Sequence, residues 1–233
     1  MNQDTQSILL VLLGAAITRI TVDGTFLQYV RAGLRPWLLI AGVVLILVGL
    51  AALAREHLRR NDTEPSHRMR VAWLLLIPVL AIFVVEPGAL GAYSASRGGG
   101  GVGAPPPNSN GFTQLPKGNP VPDTIRDFSE RALWDHGRTL TGRRVAITGF
   151  VTPAGPRHFY LTRMLITCCA ADASPIEVRI DGAGGGRPAN SWVEVIGSYA
   201  GVDRAQPAGE DPIPIVRAER VVPIAAPKNP YAS

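Results

Sequence analysis

Reactive side chains cluster in one segment of this 233-residue chain, residues 163–172, which reads RMLITCCAAD. The only two cysteines, Cys168 and Cys169, are adjacent, and Asp172 follows three residues later. If a strand ends at Thr167 and a helical turn begins there, Cys168 and Asp172 are four residues apart and lie on one side of the turn. Two thiols and a carboxylate can then converge, and the start of a helix would lower the pKa of the thiols. Such a set suits zinc or copper(I).

His158 or His136 would supply a nitrogen ligand to the same site. Two other interpretations of the cysteines stay open. One or both can be buried structural residues, because cysteine is among the most buried residue types. An oxidising exterior can also join them in a vicinal disulfide, which is strained because neighbouring Cα atoms lie about 3.8 Å apart and ordinary disulfides need about 4.4 Å or more. The sequence therefore predicts a metal or redox thiol site at Cys168, Cys169 and Asp172, with zinc or copper as the metal.

Other kinds of function find little support. The chain has no Ser-His-Asp arrangement, phosphate-binding loop or paired-carboxylate motif, so we expect no enzyme. The formal net charge is +5, and the basic residues are spread along the chain without forming a block. Nucleic-acid binding is therefore not expected.

The reactive segment lies within a region of β-strand patterning. Residues 123–140 have the spacing of one amphipathic helix that closes near Gly137, and residues 168–174 are expected to form one short helical turn. Five strands are predicted around that turn, at 144–151, 159–167, 176–180, 192–199 and 213–222. Five short strands indicate an OB-like five-stranded barrel over residues 123–225, with 226–233 as a tail. An open sandwich is the alternative.

The first part of the chain is typical of a membrane protein. Apolar runs predict three α-helical spans at about residues 7–22, 37–54 and 71–92, within a transmembrane region that covers residues 1–93. The run at 37–54 contains no charged side chain. Arg19 interrupts the first run, and we interpret it as a charge that reaches the membrane interface.

Arginines predict how these spans are oriented. Residues 55–70 contain five arginines, whereas the loop between the first two spans contains only Arg31 and Arg35. Short loops rich in arginine stay in the cytoplasm. We therefore expect a cytoplasmic N-terminus and an extracytoplasmic C-terminal domain. Residues 94–122 are rich in glycine and proline, which predicts a mobile tether between the two parts.

Short motifs spread over nearly the whole chain form one pattern. They include the turn at 24–29, Ile77-Pro78 followed by Pro87, Leu90 and Gly91, then TGFV at 148–151, FYLTR at 159–163, ITCCAADA at 166–173, Trp192-Val193 with Gly197, and NPY at 229–231. This pattern resembles the YcgQ family of bacterial membrane proteins, from which the Gly/Pro-rich linker departs. Members are described as permease subunits that act with a separate multi-span permease of the YraQ/YcgR type, and some are linked to metal homeostasis. The resemblance implies an accessory role.

The leading hypothesis is an integral membrane protein that serves such a permease and binds a metal ion or other ligand through Cys168, Cys169 and Asp172. Three spans are too few for a transporter built from repeated halves, so a partner or an oligomer is needed. One alternative is a membrane-anchored extracytoplasmic thiol-redox protein, although the motif is C-C and not C-x-x-C. Another is a non-catalytic envelope interaction protein in which the cysteines only pack.

Overall fold

The computed structural model of the chain describes residues 3–59, 88–98, 101–102, 111–205 and 211–232. The chain divides into two compact units, Met1–Ala89 and Leu90–Ser233. Most of the predicted third span, up to Pro87, lies outside the described residues, as does the arginine-rich loop after Arg59. The described end of that predicted span, residues 88–91, is not helical, and from Leu90 onward the chain belongs to the second unit.

The first unit contains two long helices, α1 (Gln3–Asp23) and α2 (Arg35–Arg59), joined by 3-10 turns at Thr25–Gln28 and Ala32–Leu34. Both are apolar and long enough to cross a membrane, over Gln6–Asp23 and Ala32–Arg55. Glycines allow the two backbones to approach closely. A Cβ atom at Gly14 would lie 2.7 Å from the Gly42 carbonyl oxygen, so a larger residue there would push the helices apart.

The second unit is a closed barrel. Its strands are β1 (Val121–Pro122), β2 (Arg144–Pro153), β3 (His158–Leu165), β4 (Ser174–Asp181), β5 (Trp192–Asp203) and β6 (Ile213–Pro223). The five long strands are ordered β2-β3-β4-β6-β5, and β5 pairs again with β2. Only β4 and β6 are parallel within that ring, and the short β1 adds to β2 in parallel. The predicted OB-like five-stranded barrel is confirmed.

Two helices pack on the barrel, α3 (Ala92–Ala95) and α4 (Ile125–Trp134). The α4 helix begins at Thr124, whose hydroxyl accepts a hydrogen bond from the Asp127 N–H and so caps the first turn. Its apolar side buries Ile125, Phe128 and Ala132 in the barrel core. The helix predicted from its amphipathic spacing is therefore present, although it ends at Trp134.

Adjacent residues of β2 serve two different cores, because successive side chains in a strand point to opposite faces. Val151 lies in the main core inside the barrel. Phe150 lies in a second group, the outer cluster, on the other face. The buried members of the outer cluster are Ala92, Ala95, Phe150, Met164, Ile166 and Tyr231.

The main core and the outer cluster both bury residues from the predicted linker and tail. Within the segment expected to be a mobile tether, Ala95, Leu115 and Val121 are buried in this unit. In the predicted tail, Tyr231 and Ala232 are also buried. These segments contribute single small or apolar residues to a surface that the sheet already provides. Such packing needs no periodic pattern of its own, so spacing could not reveal it.

Candidate functional site

The two cysteines lie on the connection between β3 and β4. The β3 strand ends at Leu165, a single 3-10 turn covers Ala170–Asp172, and β4 begins at Ser174. The predicted junction between a strand and a short helical turn is therefore present. The strand stops two residues earlier than expected, and Cys169 is the extended residue that precedes the turn.

Asp172, at the end of this connection, binds back to the backbone at its start. Its carboxylate accepts hydrogen bonds from the backbone N–H groups of Thr167, at 3.0 Å, and Cys168, at 2.8 Å. A hydrogen bond from the Cys168 thiol, together with those backbone bonds, lowers the pKa of Asp172 below its usual value. The ionised carboxylate thus fixes the backbone that carries the first cysteine.

Both thiols are free, and the distance between their Sγ atoms is 3.7 Å. Cys168 is exposed and Cys169 is half-buried, so neither is fully buried as a core residue would be. The structure has no vicinal disulfide at this pair. A reagent or an ion in solvent can reach this pair of thiols.

The acidity of Cys168 is opposite to the expectation from sequence. Hydrogen bonding to the Asp172 carboxylate, and next to the Cys169 thiol, raises the pKa of Cys168 from 9.0 to about 11. A helix dipole does not offset this effect, because the turn is only three residues long. Cys168 is therefore protonated at neutral pH and is a poor nucleophile there. This property disfavours the thiol-redox alternative.

The predicted ligand set is not complete within the described residues. No group of three or more His, Cys, Asp or Glu side chains among them could hold a metal ion. His158 is at the opposite end of β3 from the cysteines, and at a rise of ~3.3 Å per residue it lies about 23 Å from Leu165. His136 is an exposed residue just after α4. The metal site at Cys168, Cys169 and Asp172 stays a prediction.

Arg163, near the end of β3, binds the C-terminal segment, a role that the sequence did not indicate. Its guanidinium donates hydrogen bonds to the carbonyl oxygens of Asn229, Pro230 and Tyr231, the shortest of them 2.7 Å to Asn229. It also lies 5.2 Å above the Trp192 ring, and burial lowers its pKa. In the sequence pattern, Arg163 is far from both Trp192 and the NPY motif. In the fold, its side chain contacts both, and so it holds the C-terminal segment against the barrel.

A cavity of about 290 Å³ opens on the outer face of the β2–β3–β4 wall. Among the described residues that line it are two acidic ones, Glu177 and Asp211, together with Thr152 and Tyr160. The lining residues come from four separated parts of the chain. Their meeting could not be predicted from sequence spacing.

Helices of membrane-spanning length, followed by an OB-like barrel, fit a membrane protein that carries a C-terminal barrel domain. A DUF1980 C-terminal domain is found at residues 131–232, which covers the barrel from the end of α4 to the NPY motif. This match fits a DUF1980/YcgQ-like family of membrane proteins. No curated protein and no solved structure matches the chain.

Proposed function

We propose that this chain is an accessory subunit of a separate multi-span permease of the YraQ/YcgR type. Its barrel captures a soft or borderline metal ion outside the cytoplasm, and the permease moves the ion. The observation that carries the proposal is the pair of free thiols, one exposed and one half-buried, whose Sγ atoms lie 3.7 Å apart. The DUF1980 domain and the two apolar helices support the membrane context.

The separation of the thiols favours zinc. Zinc–thiolate bonds of about 2.3 Å in a tetrahedral arrangement place two sulfur atoms about 3.8 Å apart. The observed distance of 3.7 Å is close to the length of that edge. A linear copper(I) site would need a larger separation, of about twice one metal–sulfur bond length.

An incomplete ligand set suits capture and release. Two protein thiols leave two tetrahedral positions for water or for groups of a partner, whereas structural zinc sites are closed by four protein ligands. An ion held in this way remains accessible to a second protein. Asp172 positions the turn through its backbone hydrogen bonds and lies beside the bound ion.

Metal titration of the full chain, purified in detergent and fully reduced, tests the capture step. We expect about one zinc ion per chain or per shared interface, with protons released on binding because Cys168 must ionise. Cys168→Ser and Cys169→Ser should each abolish binding. Thr167→Ser, a conservative change on the same connection, is the matched control and should bind zinc as the wild type does. Calorimetry that detects neither zinc nor copper(I) binding would contradict the proposed metal-binding role.

The permease role is tested separately by co-expression with a YraQ/YcgR-type permease from the same genome. The tagged chain should co-purify with that permease in detergent, and the Cys168→Ser/Cys169→Ser variant should co-purify equally well. Failure of both to co-purify would contradict the accessory role and leave any metal binding unaffected.

A further inference from the structure

The short helix α3 presents an unusual surface residue. Tyr93 is 71% exposed, and within the described residues every other exposed large hydrophobic side chain lies between Ile8 and Leu58. The Arg97 guanidinium lies 4.8 Å from the centre of the Tyr93 ring. Tyrosine and arginine side chains that combine an apolar body with a polar end are typical of the water–membrane interface.

The α3 helix is a fixed part of the barrel unit. Ala92 and Ala95 are buried in the outer cluster. The Ala92 N–H donates a hydrogen bond of 2.7 Å to the Asn190 side chain, and the Gly101 N–H donates one of 3.1 Å to the Pro175 carbonyl oxygen. The exposed pair Tyr93 and Arg97 therefore has a defined position on the barrel surface.

The chain before α3 leaves little room between the barrel and a bilayer. The last apolar run ends at Val85, five residues before Leu90. Five fully extended residues span at most about 18 Å. The headgroup layer on one side of a bilayer is about 5 to 8 Å thick. Leu90 already belongs to the barrel unit, so a membrane span that ends near Val85 holds α3 close to the lipid surface.

We propose that the α3 edge, defined by Tyr93 and Arg97, docks the barrel on the lipid headgroups of the membrane that the chain spans. The Tyr93 ring enters the headgroup layer, and Arg97 pairs with lipid phosphate while it stacks on that ring. This inference rests on the third span of the proposed membrane topology and is independent of metal binding. The docked barrel lies on the bilayer surface, whereas a freely tethered domain would move through the solvent away from that surface.

Spin labels on the full chain in phospholipid nanodiscs test the docking. Ser96→Cys, at the exposed residue that follows α3 and lies between Tyr93 and Arg97 in the sequence, carries the label in a Cys168→Ser/Cys169→Ser background, so both docking side chains are kept. Arg220→Cys is the matched control, because it is exposed on β6, whose neighbours are β4 and β5. Lipids with a nickel-chelating headgroup speed the relaxation of labels near the bilayer surface. We expect at least a threefold larger relaxation enhancement at position 96 than at position 220.

Equal enhancement at both positions would overturn the docking. Tyr93→Ser, combined with the label at position 96, distinguishes anchoring by the side chain from simple proximity. We expect it to reduce the enhancement at 96 by at least half, and an unchanged value would overturn the anchoring role of Tyr93. Resistance of the chain to alkaline extraction from native membranes reports membrane insertion itself, so loss of docking and loss of insertion are distinguished.

Discussion

At the scale of single residues, Asp172 has two opposing effects on the thiol pair. Its hydrogen bonds to two backbone N–H groups hold the turn, and its negative charge disfavours ionisation of Cys168. A metal ion reverses the second effect, because a cation compensates both the thiolate and the carboxylate. In the proposed capture step, Cys168 would stay protonated and unreactive until an ion binds.

Replacement of Asp172 should make Cys168 more reactive. In a Cys169→Ser background, Asp172→Asn removes the charged acceptor that raises the pKa of Cys168. The rate of alkylation by iodoacetamide at pH 8 should rise about tenfold for each unit by which that pKa falls. Asp203→Asn, which removes a carboxylate on β5, is the control and should leave the rate unchanged. An alkylation rate that falls in Asp172→Asn would contradict the role of this carboxylate.

Arg163 is expected to stabilise the barrel more than any exposed arginine. Arg163→Ala removes hydrogen bonds to three carbonyl oxygens and the contact with Trp192, so it should lower the free energy of unfolding by about 2 to 4 kcal/mol. Arg163→Lys keeps the charge without the planar fork and should lose about half as much. Thermal unfolding of each variant measures the change. Arg157→Ala, at an exposed site, should change stability by less than about 0.5 kcal/mol.

Asp123 should make the barrel less stable at high pH. Burial, and next a hydrogen bond with Asp127, raises its pKa from 3.8 to about 7. Its Oδ2 atom finds no donor among the described residues, so a proton on that oxygen provides the missing partner toward Asp127. The folded state binds this proton more tightly than the unfolded state, so the stabilisation is complete below about pH 4 and is lost as the pH rises through about 7.

Asp123→Asn reproduces the protonated form and should stabilise the protein at pH 8 by about 1 kcal/mol, with no difference at pH 4. Urea unfolding at both pH values measures this. Asp203→Asn should act in the opposite direction, because a hydrogen bond from the Ala205 N–H lowers the pKa of Asp203. A stabilisation by Asp123→Asn that is equal at both pH values would argue against titration as its cause.

At the scale of elements, alternation and helical spacing were sufficient to predict the barrel. All five long strands and α4 lie within a few residues of their predicted positions, because each has one face in the main core. The α3 helix and β1 were missed, since four residues and two residues are too short to show a period. The adjacent thiols were found from residue type alone. Their separation, their exposure and the raised pKa of Cys168 depend on the Asp172 hydrogen bonds, which spacing does not specify.

Residues before Pro122 should contribute measurably to barrel stability. A fragment of residues 122–233 lacks Val121, Leu115 and the two alanines of the outer cluster, all buried in the full chain. We expect a fragment of residues 88–233 to unfold cooperatively with a Tm about 10 °C or more above that of the shorter one, because several kcal/mol of apolar burial are restored. Fluorescence of Trp134 and Trp192 follows both transitions. Equal Tm values would show that α3 and β1 add no stability.

At the scale of the whole molecule, the arginines still predict the topology. With five arginines in residues 55–70, a reporter fused after Ser233 should be active only as an extracytoplasmic enzyme such as alkaline phosphatase. A fusion after Arg59 should be active only as a cytoplasmic fluorescent protein. Fluorescence from the fusion after Ser233 would place the barrel in the cytoplasm and remove the basis for capture outside it.

The contact between Leu90 and Tyr231 also limits when the barrel can finish folding. The Leu90 N–H donates to the Tyr231 hydroxyl across 141 positions of sequence. During synthesis the first partner exists long before the second, so the outer cluster stays incomplete until the last residues emerge. Until then, the outward faces of Phe150 and Met164 lack their cover and expose apolar surface to other chains. A chaperone present at the site of synthesis or export would therefore act on this wall of the barrel until the C-terminal residues are in place.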